Sequence, residues 1–132
     1  SCAICLQQMD EEALRIGKLR DQLESELIQP GKITVNGSII HRLPNVTNLA
    51  FAGIAGNKLL TEISRTIAVS SGSACTSANP EPSHVLKAMK LNDELAKSSI
   101  RFGLGRFTTR EEIEYTIDTV KAILQNLTGL PI

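Results

Sequence analysis

Residues 69–82 read Val69-Ser70-Ser71-Gly72-Ser73-Ala74-Cys75-Thr76-Ser77-Ala78-Asn79-Pro80-Glu81-Pro82, and past the opening valine they give a core almost nothing to bury. A fold built from this chain has to close its core on either side of the segment and leave the segment outside, where it is expected to move. One thiol, Cys75, stands in the middle with Ser, Gly and Ala on both sides. These neighbours leave the sulfur unshielded, and loop backbone N–H groups can help to hold a thiolate. The local chemistry therefore leaves two readings of Cys75 open: a small hydrophobe in a loop, or a nucleophile aimed at something outside the domain.

Hydrophobic patterning on both sides of the segment supplies the core. Over residues 9–28, Met9, Ala13, Ile16, Leu19 (with Arg20 beside it), Leu23 and Leu27 recur at three- and four-residue steps, which predicts an amphipathic helix extending back towards Cys2 and stopped by Pro30-Gly31. Ile33-Thr34-Val35 reads as a strand closed by Asn36-Gly37. Residues 45–52 alternate, with Thr47, Leu49 and Phe51 on one face. Asn57 is expected to cap a helix through Ser64 that buries Leu60 and Ile63, and residues 66–69 to form the strand that delivers the cysteine segment. Ser83 reads as an N-cap for a helix carrying Val85, Leu86 and Met89, and Asn92-Asp93-Glu94 starts another short turn of helix. Residues 99–104 alternate again, with Ile100, Phe102 and Leu104 inward and Arg101 on the opposite face. Thr109 and Glu112 form a capping box for a last helix with Ile113, Ile117, Val120, Leu124 and Leu127 on one stripe, ended by Gly129. The order predicts an α/β fold, an α+β sandwich in which a small mixed sheet is covered by helices. The first and last helices are placed on the same face.

The 132 residues suffice for one domain, residues 1–132, and not for two. Fourteen basic residues cancel fourteen acidic ones and aromatics make up 3%, so neither a basic face nor a stacking platform points to nucleic acid. No apolar run approaches the roughly 20 residues needed to span a bilayer, and the start shows no signal-peptide pattern. Three cysteines, an odd number in a chain that folds without staples, point to a reducing compartment: cytoplasm or a reducing organelle. The chain does not begin with Met and is expected to be a piece of something longer.

Other candidate groups carry less. His84, nine positions after Cys75, and His41, beside Arg42, read as solvated, so a cysteine–histidine hydrolase has weak support. Cys2 and Cys5 lack a second pair of zinc ligands and share a helix face, which favours packing. Gly53-Ile54-Ala55-Gly56-Asn57-Lys58 lacks the spacing of a phosphate loop. Arg101 on a strand is a solvated group, an ion-pair partner, or a fork for a carboxylate, with Gly103 and Gly105 leaving room for a ligand.

Taken together, the segment 68–78, Leu91-Asn92-Asp93-Glu94-Leu95-Ala96 and the run Ser99-Ile100-Arg101-Phe102-Gly103-Leu104-Gly105-Arg106-Phe107-Thr108-Thr109 closely resemble the C-terminal part of cysteine desulfurases of the NifS/IscS-like group, within the class-V aminotransferases. The resemblance runs from about residue 12 to about residue 127. It implies a fold-type I, pyridoxal-phosphate-dependent homodimer of which this chain is the small domain. Cys75 then matches the catalytic cysteine that takes sulfur from L-cysteine as a persulfide, releasing L-alanine and supplying iron–sulfur cluster assembly. Arg101 matches the residue that binds the substrate α-carboxylate. Partners implied are the large domain of the same enzyme and an iron–sulfur scaffold or other sulfur acceptor. No resident metal is implied, only transient iron–sulfur contact through Cys75.

The departure is the cofactor lysine, which in that family follows a histidine; none of Lys18, Lys32, Lys58, Lys87, Lys90, Lys97 and Lys121 does. The groups that hold the cofactor are expected in the large domain, and the family's C-terminal tail, where scaffolds dock, is expected to be cut short. This chain alone is therefore expected to be inactive, to give no yellow band with pyridoxal phosphate, and to self-associate through uncovered apolar surface. A non-enzymatic sulfur relay using Cys75 is the alternative, and a small cysteine hydrolase the third reading.

Overall fold

A computed structural model describes residues 2–29, 31–71 and 82–129, with residues 2–5 described by their backbone alone. Helix α1 (Cys2–Leu27) leads to strands β1 (Ile33–Val35) and β2 (Val46–Phe51). Helix α2 (Gly56–Ser64), strand β3 (Ser70–Ser71), helices α3 (His84–Ala88) and α4 (Asp93–Lys97), strand β4 (Ser99–Gly103) and helix α5 (Arg110–Thr128) follow.

The four strands lie in the order β1-β2-β4-β3. The crossover through α2 sets β2 and β3 in the same direction, and β4 inserts between them antiparallel to both. The sheet is therefore antiparallel at every described pairing, where a mixed sheet was expected. Its inner face carries Ile33, Thr47, Leu49, Phe51, Ile100 and Phe102, all buried, with Leu104 just past the end of β4. The register explains why they share a face: Ile33 stands opposite Phe51, Leu49 opposite Ile100, and Thr47 opposite Phe102. Helices α1 and α5 pack side by side on that face, as expected, through Ile16, Leu19, Leu23 and Leu27 of one and Ile113, Ile117, Val120 and Leu124 of the other. The capping box holds α5 at its start, with Thr109 Oγ1 accepting from the Glu112 backbone and Glu112 Oε2 from the Thr109 backbone. Gly129 closes it at φ 68°.

Four local expectations are corrected. Helix α2 starts at Gly56 with Ala55 as its cap residue, and the Asn57 side-chain oxygen accepts from the adjacent backbone N–H of Lys58, which is not a cap bond. It buries Leu59 with Ile63, not Leu60, because Gly56 is pressed against the Lys97 carbonyl and Gly56, Leu59 and Ile63 share one face. The strand expected over residues 66–69 forms later, at Ser70–Ser71, since the backbones of Thr66 and Ile67 both donate to the Ile63 carbonyl and wind down the end of α2. Ser83 precedes α3 as expected but makes no side-chain cap bond, and Val85 and Met89 are exposed where Leu86 is buried.

The outer face of the sheet is divided. Helix α4 covers one end, where Ala50 and Ser99 are buried. The other end, holding Arg101 and Gly103, is open to solvent. The loop 38–44 is held to α1 by Arg42, which places Nη1 and Nη2 at 2.5 and 2.9 Å from the two carboxylate oxygens of Glu24, and by Arg20 donating to the Leu43 carbonyl. The hydrogen bond and charge of Glu24 raise the pKa of Arg42.

Candidate functional site

Alternation puts Arg101 on the outer face, since Ile100 and Phe102 on either side of it take the core. As the middle residue of β4, it stands opposite Asn48 of β2 on one side and Ser70 of β3 on the other. Its Nε–H donates to Ser70 Oγ at 3.0 Å. Among the described residues no carboxylate lies within ion-pairing distance of it, whereas Arg20, Arg42, Arg65 and Arg106 each hold one. A β-carbon added at Gly103, next on the same face, would meet nothing within 4 Å, so the approach along β4 is open.

A chain of hydrogen bonds stiffens the sheet behind the guanidinium. Asn36 Nδ2 donates to Asn48 Oδ1 at 2.6 Å and to Ser99 Oγ at 2.9 Å, and Ser99 Oγ donates to the Leu95 carbonyl at 2.7 Å. An exposed guanidinium on a rigid strand, without an internal acid, can receive an anion with planar, two-point geometry, and a carboxylate has that shape.

Cys75 lies outside the described residues, as do residues 72–81 around it. The described chain reaches its threshold at Ser71, one residue beyond the contact with Arg101. From Ser71 to Cys75 the backbone spans at most about 14 Å. Both histidines are exposed, His84 as the first residue of α3 and His41 in the loop 38–44. Cys2 and Cys5 lie in the first turns of α1.

Six of the seven lysines are exposed, and Lys121 is paired with Glu26 at 2.8 Å. A lysine that condenses with an aldehyde cofactor is lowered in pKa by burial or a neighbouring cation. None of the described lysines is buried. The described residues thus offer a fork for the carboxylate end of an amino acid and no buried lysine for pyridoxal phosphate. Sequence patterning found Arg101 but missed Ser70, Asn48 and Asn36. Asn36 was read only as half of a turn pair, and nothing in the local sequence signals that β3 pairs beside β4.

Comparison with known proteins decides the family. The description "Aminotransferase class-V" matches residues 4–116. The chain belongs to the class-V aminotransferase family. The cysteine desulfurase IscS of Mannheimia succiniciproducens is 53% identical over 127 residues, covering 96% of this chain and 31% of its own length. That of Pasteurella multocida is 52% identical over the same shares. Among solved structures, a NifS-like protein superposes with a TM-score of 0.79 at 30% identity, over 94% of this chain and 31% of its own. A NifS-like protein from Rickettsia africae gives 0.76 at 31% identity, over 93% and 32%. This class-V aminotransferase chain therefore spans about a third of the length of the relatives it matches, and across that third it shares their fold. No helix among the described residues is long and apolar enough to cross a membrane.

Proposed function

We propose that the chain is one domain, the small domain of a pyridoxal-phosphate-dependent cysteine desulfurase, which converts L-cysteine to L-alanine and hands the sulfur on for iron–sulfur cluster assembly. The enzyme works as a homodimer in the cytoplasm or a reducing organelle, with an iron–sulfur scaffold or other thiol protein as acceptor. The cofactor's lysine, ring and phosphate partners are to be sought outside these 132 residues, and the domain by itself does not turn over cysteine. The observation that carries the reading is Arg101: a guanidinium on the open face of β4 with no carboxylate partner among the described residues, tied to Ser70 of β3.

In this reading Arg101 pairs with the α-carboxylate of L-cysteine and fixes the amino acid at one end. The Cys75 thiolate attacks the substrate sulfur. A sulfur–sulfur bond forms, the carbon–sulfur bond breaks, and its electron pair stays on carbon, which takes a proton to become alanine. Pyridoxal phosphate, when bound, supplies the electron sink for this chemistry. The product on the protein is a Cys75 persulfide, whose outer sulfur passes to an acceptor thiolate by the same kind of displacement. A relay that only received sulfur from another persulfide would have no amino-acid carboxylate to hold, so Arg101 favours the desulfurase over the relay.

The test is mass spectrometry of the Cys75 peptide, with and without the cofactor-bearing remainder of the enzyme and with and without free L-cysteine. The added mass of one sulfur, dependent on both, is expected. Labelling from another donor in the absence of the remainder would favour the relay, and no labelling under any condition would remove both.

A further inference from the structure

We propose that Ser70 is the positioning residue of the carboxylate clamp: its hydroxyl takes the Nε–H of Arg101 and leaves the two terminal nitrogens as the fork that meets the ligand. This rests on the reading of Arg101 given above and adds to it a second residue and a binding geometry. A guanidinium can grip a carboxylate side-on, through Nε and one terminal nitrogen, or end-on, through both terminal nitrogens. Ser70 Oγ lies 3.0 Å from Nε, so the side-on edge is already engaged. The end-on edge keeps its two parallel N–H donors, one from each terminal nitrogen.

The assignment to Ser70 follows from the pairing. Arg101 has one neighbour on each side across the sheet, Asn48 and Ser70. The side-chain oxygen of Asn48 is taken by Asn36. Ser71, opposite Ile100, alternates to the other face. Among the described residues of the sheet, only Ser70 therefore presents a side-chain acceptor to Arg101. A long, rotatable arginine side chain exposed to water loses entropy when it is fixed on a ligand, and a hydrogen bond at Nε settles part of that ordering beforehand. Ser70 also stands five positions before Cys75 in the sequence.

The experiment measures L-cysteine turnover and inhibition by L-alanine in the enzyme joined to its cofactor-bearing remainder, for Ser70→Ala, Ser70→Thr, Ser70→Val and Arg101→Ala. Alanine has the carboxylate but no sulfur, so its inhibition constant reads the clamp apart from Cys75. Ser70→Ala is expected to raise KM for L-cysteine and the inhibition constant for alanine in parallel, each about tenfold, with kcat held within about twofold. Threonine and valine have nearly the same shape and differ in the hydroxyl. Ser70→Thr should restore both constants to within about twofold and Ser70→Val should not, a contrast that survives even if the alanine variant folds poorly. If Arg101→Ala raises both constants while Ser70→Ala and Ser70→Val behave as wild type, the role of Ser70 is overturned and the clamp stands. If the serine variants lower kcat with KM and alanine inhibition unchanged, Ser70 acts on the cysteine segment and the proposal fails. If Arg101→Ala itself changes neither constant, the clamp falls and Ser70 with it.

Discussion

Gly56→Ala sets helix propensity against packing, and the two give opposite signs. Alanine near the start of a helix ordinarily gains up to about 1 kcal/mol over glycine, partly because the unfolded chain is less free. At Gly56, however, a β-carbon would stand 2.0 Å from the carbonyl oxygen of Lys97, 2.5 Å from its carbonyl carbon and 2.9 Å from Cα of Ser98. Ordinary carbon–oxygen contacts begin at about 3.3 Å, so α2 and the end of α4 have to part by about 1.3 Å. All three obstructing atoms are backbone and have no rotamer to turn into. Leu59 and Ile63, fully buried on the same face of α2, would be lifted with the helix. A gap of about 0.5–1 Å forfeits a quarter to a half of the dispersion well, and each such side chain contributes about 1.5–3 kcal/mol by burial. The packing loss is then about 2 kcal/mol, within the usual range of about 1–3 for an overfilled site. Less than half of it is recovered by propensity. For a chain of this length the net loss of about 1–2 kcal/mol lowers the thermal midpoint by about 5 °C. Far-UV circular dichroism on heating, with a urea midpoint beside it, measures this. A midpoint unchanged or raised would show that α2 does not meet α4 as described. It would also weaken the account of the site, because residues 97–98 run straight into β4 and Ser98 accepts the backbone bond of Phe51.

Two further substitutions test the core and the loop. Thr47 is buried on the inner face of β2 with its hydroxyl unpaired among the described residues, so Thr47→Val, of nearly the same shape, should raise stability by about 1 kcal/mol in urea unfolding; a loss would mean the hydroxyl has a partner. Arg42→Met removes the partner of the buried Glu24 carboxylate and should cost about 3 kcal/mol, with faster amide exchange at Ile40 and His41; joining it with Glu24→Met should recover most of the loss.

What could be read from the sequence was what one element carries within itself. The alternation of Ile100, Phe102 and Leu104 was enough to turn Arg101 outward, and the stripe on α5, that on α1 from Ile16 onward and the Thr109–Glu112 capping box stand where the pattern put them, whereas Met9, expected on the α1 stripe, is exposed. What escaped depends on contacts between distant parts of the chain. The choice of Leu59 over Leu60 is made by the Lys97 carbonyl, some forty positions on. The short strand β3 is two serines with no hydrophobic signal, and its place beside β4 brings together residues 31 apart. For the same reason the partner of Arg101 was invisible in a sequence that displays Arg101 itself plainly. The reading of Cys75 stands on its neighbours in sequence and on the family, because that segment lies outside the described residues.

The central claim is that two residues divide the work, Arg101 holding the amino acid by its carboxylate and Cys75 taking its sulfur. In the enzyme joined to its cofactor-bearing remainder, equilibrium binding of L-cysteine and single-turnover release of alanine should be measured together for Cys75→Ser and Arg101→Ala. Cys75→Ser should bind L-cysteine within about twofold of wild type and release no alanine, while Arg101→Ala should bind at least about tenfold more weakly with its Cys75 thiol still reactive towards an alkylating reagent. Alanine release by Cys75→Ser at the wild-type rate, or unaltered binding by Arg101→Ala, would contradict the account.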